Sequence, residues 1–134
     1  LGADRVIDAG THGAAGQVRK ILPGGADLAV EAVGVSASVR DAVAALRKGG
    51  QLALVGNLSP TVEFPLQSVV IGQISVAGSC ASSGEYPQCL DLLGKGVIKV
   101  DDLVPAVAPL EDGPSWFERL YAREPGLMKV ILQP

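Results

Sequence analysis

Apolar and polar positions along the chain fall into blocks whose period switches repeatedly between strand-like and helix-like. Residues 5–8 (RVID) form a short β-branched run ending in an acid, which predicts a strand. Ala14, Ala15, Val18, Ile21 and Leu22 then recur at helical spacing, with Thr11 as candidate cap and Pro23-Gly24-Gly25 as a stop. Residues 27–33 (DLAVEAV) are a continuous, largely apolar run reaching Gly34, as expected of a buried strand. The clearest helix follows. Ser36 or Ser38 can accept its first amide hydrogens, and Val39, Ala42, Val43 and Leu46 make one apolar stripe. Arg47 and Lys48 are expected at the negative end of its dipole, and Gly49-Gly50 at a left-handed C-terminal turn. Residues 51–56 (QLALVG) predict a third buried strand.

This β-α-β-α-β order with short connections implies parallel strands and an α/β fold. After Gly56 the rhythm changes. Residues 57–60 read as a loop, and 61–64 as a short extended piece that Pro60 and Pro65 confine to a sheet edge. Leu66, Val69, Val70 and Ile71 suit a helical turn or an apolar contact surface. Residues 73–77 (QISVA) alternate as a strand and stop at Gly78. Ser82 and Glu85 have capping-box spacing, with a helix beginning near Pro87 and running to Lys95. Residues 103–110 are extended and interrupted by two prolines. Trp116, Phe117, Leu120 and Tyr121 mark the apolar face of another helix, and residues 127–132 (LMKVIL) close the chain as a strand.

Composition adds limits. Nearly half the residues are apolar and few are aromatic, with 17 glycines, a mixture suited to parallel strands and small-residue helices. A formal charge of −3 gives no electrostatic reason to expect nucleic acid or an anionic membrane as partner. The apolar runs are strand-length, too short to span a bilayer. Cys80 and Cys89 lack the spacing of a structural zinc site and read as packed thiols in a reducing, cytoplasmic setting.

Ligands of an open parallel sheet bind beyond the carboxyl ends of its strands. Here those ends are small: Ala32-Val33-Gly34, Val55-Gly56-Asn57 and Gly78-Ser79. Glycine at such ends either simply terminates the strand or lets a flat ligand approach the backbone. No phosphate loop of the G-x-x-x-x-G-K-[ST] type and no G-x-G-x-x-G follows a strand. His12, the single histidine, reads as a solvated side chain. Ser79, Ser82 and Ser83 lack a nucleophile elbow. Asp101-Asp102 and Glu111-Asp112 read as turn and cap acids. Glu31, in a strand that reads as buried, reads as a carboxylate satisfied by nearby backbone or a basic side chain, with an acid/base role as the alternative. No catalytic constellation and no metal-ligand set can be assembled from these residues.

Taken in series, the segments resemble a known family. Leu1-Gly2-Ala3-Asp4 with Val6-Ile7-Asp8 is similar to the segment entering the third sheet strand of medium-chain dehydrogenases. Gly25-Ala26-Asp27 through Glu31-Ala32-Val33-Gly34 resembles the fourth strand, and Leu46-Arg47-Lys48-Gly49-Gly50 into Leu54-Val55-Gly56 the fifth helix–strand unit. Val76-Ala77-Gly78-Ser79 and the closing Lys129-Val130-Ile131-Leu132 continue it over essentially the whole chain. The nearest branch is that of the zinc-type alcohol, sorbitol and threonine dehydrogenases.

The resemblance implies the C-terminal half of a Rossmann-like, doubly wound parallel sheet over residues 1–81, then a segment, 82–134, that returns to a catalytic domain. It implies NAD or NADP, with only the nicotinamide half of the site in this chain. Ala32, Val33, Gly34, Val55, Gly56, Asn57, Ser79 and Ala81 fall on nicotinamide-side positions, and Lys129 on a basic position near the cofactor phosphates. Backbone groups at Val55, Ser79 and Ala81 would hold the carboxamide. Zinc, and the alcohol or polyol substrate it polarises, would belong to the parent enzyme, with the zinc ligands and diphosphate loop preceding Leu1. The chain alone would then be inactive, its strand edges exposed, and it would pair with another copy or borrow strands. The stretch from Thr61 to Ile71 resembles the family's dimer edge, so a homo-oligomer is expected. A zinc-free quinone or enoyl reductase relative, or a non-catalytic Rossmann-like interaction module, are the alternative functions.

Overall fold

The computed structural model describes residues 2–8 and 14–134; Thr11 and His12 lie outside them. Two compact units divide the chain, one formed chiefly by residues 4–81 and the other by 82–134 with the first residues of the chain.

The first unit begins with helix α1 (Ala14–Ile21), strand β1 (Ala26–Glu31), helix α2 (Ser36–Ala45) and strand β2 (Leu46–Leu54). Helix α3 (Leu66–Gly72) and strand β3 (Ser75–Gly78) complete it. The three strands pair in parallel in the order β1-β2-β3. This is the α/β arrangement with parallel strands that the alternating periods predict. Partnered residues share a face. Ala29, Leu52 and Val76 are aligned on one side, and Leu28 and Val30 point to the other. The first face packs on the helices. Val43, Leu46 and Leu52 form its centre, with Ala26, Ala29, Ala42, Leu54, Val69 and Ile74 around them. Leu52, with 1% of its surface exposed, is the most completely buried residue of this core. The opposite face is bare, Leu28 and Val30 being 55% and 62% exposed.

Three local expectations require correction. Residues 5–8 form no strand, and Val6 is 89% exposed. A β-branched run becomes a strand only when a neighbour accepts and donates its ladder hydrogen bonds, and none of the described strands lies beside it. Residues 61–64 are likewise outside the sheet. Their backbone is tied to helix α2 instead: the Glu63 amide donates to Ser36 Oγ (2.9 Å), and the Arg40 guanidinium pairs with the Glu63 carboxylate at 3.0 Å. Ser36 therefore holds this segment, and Ser38 exchanges hydrogen bonds with the Val35 backbone at the helix start.

The third correction concerns the end of α2. The helix stops at Ala45, and Leu46 is already extended, which turns its side chain into the core. Arg47, Lys48 and Gly49-Gly50 thus lie beyond the helix, in an irregular stretch where the register jumps from Ala26↔Leu46 to Leu28↔Gln51. Gly49 supplies the left-handed turn there, with φ of 73°. Arg47 pairs with Asp27 at 2.5 Å. The cation that serves the α2 C-terminus comes from α1: Arg19 donates to the Ala44 and Leu46 carbonyls at 2.8 and 2.7 Å. It satisfies acceptors that the helix leaves open and complements the dipole.

The second unit contains helix α4 (Tyr86–Gly94), strand β4 (Ala106–Pro109), helix α5 (Gly113–Tyr121) and strand β5 (Val130–Gln133). Strands β4 and β5 pair in parallel around α5. Pro87 occupies the first turn of α4, where its missing N–H costs nothing. On α5, Arg119 stacks 3.8 Å over the Trp116 ring and forms a two-pronged bond with Glu124. Phe117 and Tyr121, expected on the buried stripe, are exposed.

Candidate functional site

The parallel register brings three strand ends side by side. Glu31, Leu54 and Gly78 are aligned across β1, β2 and β3, so residues 32–34, 55–57 and 79–81 leave the sheet as adjacent loops. One cleft of about 530 Å³ opens between the last two loops, lined by Leu54, Val55, Gly56, Asn57, Gly78, Ser79, Cys80 and Ala81. Five residues anticipated from the sequence, Val55, Gly56, Asn57, Ser79 and Ala81, therefore share one cavity wall. Ala32, Val33 and Gly34 form the neighbouring β1 loop and do not line the cleft. Lys129 belongs to the other unit, next to β5.

Glu31 organises this end of the sheet. It is 3% exposed, and its carboxylate accepts the Val33 amide at 2.9 Å and the Gly34 amide at 2.9 and 3.1 Å. Burial alone would push its carboxyl up; the Ser38 hydroxyl and the Gly34 and Val33 amides outweigh burial and hold it below the ordinary glutamate value. The Glu31 main-chain carbonyl accepts the amides of Val55 and Gly56 at 2.8 and 2.9 Å. Its side chain is thus satisfied by nearby backbone.

The glycines of the first two loops face each other. A Cβ on Gly34 would lie 2.4 Å from the Asn57 nitrogen, and one on Gly56 would lie 2.2 Å from the Gly34 nitrogen. Gly34 also has φ of 83°. The Leu58 and Ser59 amides donate to the Val33 and Gly34 carbonyls across this contact. These two glycines let one loop lie directly on the other. Gly78 differs: a Cβ there would meet nothing within 4 Å.

The polar atoms of the cleft wall are mainly backbone. The Ser79 amide is used by the Leu54 carbonyl at 2.9 Å. Among the described residues, the Val55 and Ser79 carbonyls and the Ala81 amide take part in no hydrogen bond. Ala81 has φ of 53°, a left-handed conformation that costs an L-residue roughly 1–2 kcal/mol. Gln73, at the end of α3, and Arg123 share this conformation. Sequence inspection gives no sign of this strain, because alanine carries no conformational signature. Cys80, read from the sequence as packed, is exposed, as is Cys89. No group of three or more His, Cys, Asp or Glu side chains among the described residues could hold a metal ion. No helix among them is long and apolar enough to cross a membrane.

Residues 1–95 match the model of the zinc-binding dehydrogenase family. The chain is 31% identical over 102 residues to D-xylulose reductase A of Aspergillus niger, covering 75% of this chain and 28% of that protein. Sorbitol dehydrogenase of Bacillus subtilis is 29% identical over 137 residues, covering all of this chain and 38% of the relative. The solved alcohol dehydrogenase TADH from Thermus sp. ATN1 superposes with a TM-score of 0.84 at 30% identity, over 96% of this chain and 37% of that one. The chain thus spans well under half the length of these proteins, and over most of its length it belongs to the zinc-binding dehydrogenase family.

Proposed function

We propose that this chain forms the nicotinamide-side wall of an NAD(P)-dependent alcohol or polyol dehydrogenase. The observation that carries the reading is the unused backbone of the cleft. A carboxamide needs acceptors for its NH₂ and a donor for its oxygen; the Val55 and Ser79 carbonyls and the Ala81 amide are of those kinds, beside the open face at Gly78. When bound, the nicotinamide supplies the hydride acceptor or donor. The chain's contribution is to fix the ring: backbone hydrogen bonds choose which face it presents, and loops 55–57 and 79–81 limit its rotation. Ala32, Val33 and Gly34 support this wall through the β1 loop. Lys129 is assigned, by family resemblance, to the phosphate side of the cofactor.

The names of the relatives favour a polyol or secondary alcohol as substrate. Zinc, in this reading, is held by residues outside the described chain and polarises the substrate oxygen. Residues 82–134 serve as the return segment to a catalytic domain. Exposed Leu66, Val70 and Ile71 on α3 support self-association through residues 61–71. Sedimentation as a dimer or larger supports that part, and a monomer at high concentration overturns it. Exposed thiols at Cys80 and Cys89 fit a reducing, cytoplasmic compartment.

The test is turnover by the whole protein, loaded with zinc, with NAD or NADP and a panel of sugar alcohols, vicinal diols and simple alcohols. Formation of reduced nicotinamide with at least one class is expected. Reduction of quinones or enoyl compounds in place of alcohol oxidation, or no binding of either cofactor, would overturn it. Gly78→Val gives a local check. A Cβ at this position meets no protein atom within 4 Å, so stability should change by less than about 0.5 kcal/mol. Affinity for NAD(P)H should fall about tenfold through lost room in the cleft, roughly 1.4 kcal/mol. Unchanged affinity in a titration would place the ring elsewhere.

A further inference from the structure

We infer that Glu31 is a positioning residue for the nicotinamide, acting through two loops that it joins and touching no ligand itself. The inference rests on the nicotinamide-side reading of the cleft and goes beyond it by naming what sets the cleft's shape.

Glu31 has two sets of acceptors, and they hold different loops. The carboxylate grips the β1 loop through the Val33 and Gly34 amides. The main-chain carbonyl grips the β2 loop through the Val55 and Gly56 amides. Both sets lie within one buried residue, so the two loops are tied to the same strand end. The Gly34–Gly56 contact then permits no slack, since even a methyl group fits on neither glycine. A peptide plane held through its N–H is oriented as a unit. The Gly56 amide, bound by Glu31, shares its peptide plane with the Val55 carbonyl, one of the unused acceptors of the cleft. Moving the β1 loop therefore rotates a group that would meet the carboxamide.

A carboxylate is the side chain suited to this task. It only accepts, and it can take several N–H donors at once. The amide of Gln offers one acceptor and presents an NH₂ to backbone N–H groups that cannot receive it. Asp keeps the charge but withdraws it by one methylene.

The experiment compares NADH and ADP-ribose binding to the whole protein and its Glu31→Gln and Glu31→Asp variants, with thermal melts to select folded samples. ADP-ribose shares the cofactor's other half and lacks the nicotinamide. Glu31→Gln should weaken NADH at least about tenfold while ADP-ribose affinity stays unchanged, because a misplaced ring loses its oriented contacts. Glu31→Asp should fall between Gln and wild type, and it provides the reading should Gln fail to fold. Equal losses for the two ligands, or no loss for NADH in a folded variant, would overturn the inference. Wild-type protein that binds neither NADH nor NADPH would instead overturn the nicotinamide reading on which it rests; where NADPH is the form bound, it and 2′-phospho-ADP-ribose replace the pair.

Discussion

Replacing Gly34 by Ala is expected to destabilise the first unit by roughly 3 kcal/mol or more, adding the left-handed penalty to the cost of forcing atoms into a packed contact. The new methyl would lie 2.4 Å from the Asn57 nitrogen, 2.5 Å from the Gly56 carbonyl carbon and 2.6 Å from the Leu58 nitrogen. All three are backbone atoms, so relief requires the whole 55–59 loop to retreat. That would lengthen the Leu58→Val33 and Ser59→Gly34 hydrogen bonds and strain the amides held by Glu31. A urea melt of the variant should show a clearly lower midpoint, with faster amide exchange at residues 55–59. Gly78→Ala is the contrasting control. It sits at the end of β3 with open space around the new methyl, and stability should shift by less than about 0.5 kcal/mol. Similar melts for the two variants would mean that the loop contact is not as tight as the geometry indicates.

The second large effect is expected at Leu52. It is enclosed by Val43 and Leu46, with Ala29 beside it on β1. Truncation to Ala should cost about 2–5 kcal/mol, the range for a buried Leu whose neighbours only partly close the gap. Domains of this size are stable by only about 5–15 kcal/mol in total. The loss should fall toward the upper end here, because the sheet is covered on one face only and few other residues share the load. Leu28→Ala, on the bare face, should cost far less in the same chain. Equal effects at positions 28 and 52 would mean that the open face is covered in solution, by another copy or another part of the protein.

How much of this was legible in the sequence differs from element to element. Helices α1 and α2 and the strands of the three-stranded sheet follow from period, because a stripe such as Val39, Ala42 and Val43 has no other way to be buried. The end of α2 was misplaced since the pattern does not show that Leu46 reaches the core better from an extended backbone. Nor does it show that Arg19, on α1 and 25 residues before Ala44, supplies the capping charge assigned to Arg47 and Lys48. Residues 5–8 and 61–64 carry strand composition, yet a strand exists only with a partner beside it. For the site, a glycine announces that something comes close, without saying what. At Gly34 and Gly56 it is each other's loop; at Gly78 it is open space. For Glu31 the sequence leaves backbone or a basic side chain as partner, and the structure supplies backbone. Its second grip, through the main-chain carbonyl, has no side-chain signature at all.

The central claim is that residues 54–57 and 78–81 face the nicotinamide. Hydrogen–deuterium exchange of the whole protein, compared with saturating NADH and saturating ADP-ribose, tests it most directly. Protection of peptides covering these two loops by NADH and not by ADP-ribose is the predicted result; equal protection by both ligands, or none by NADH, would contradict it.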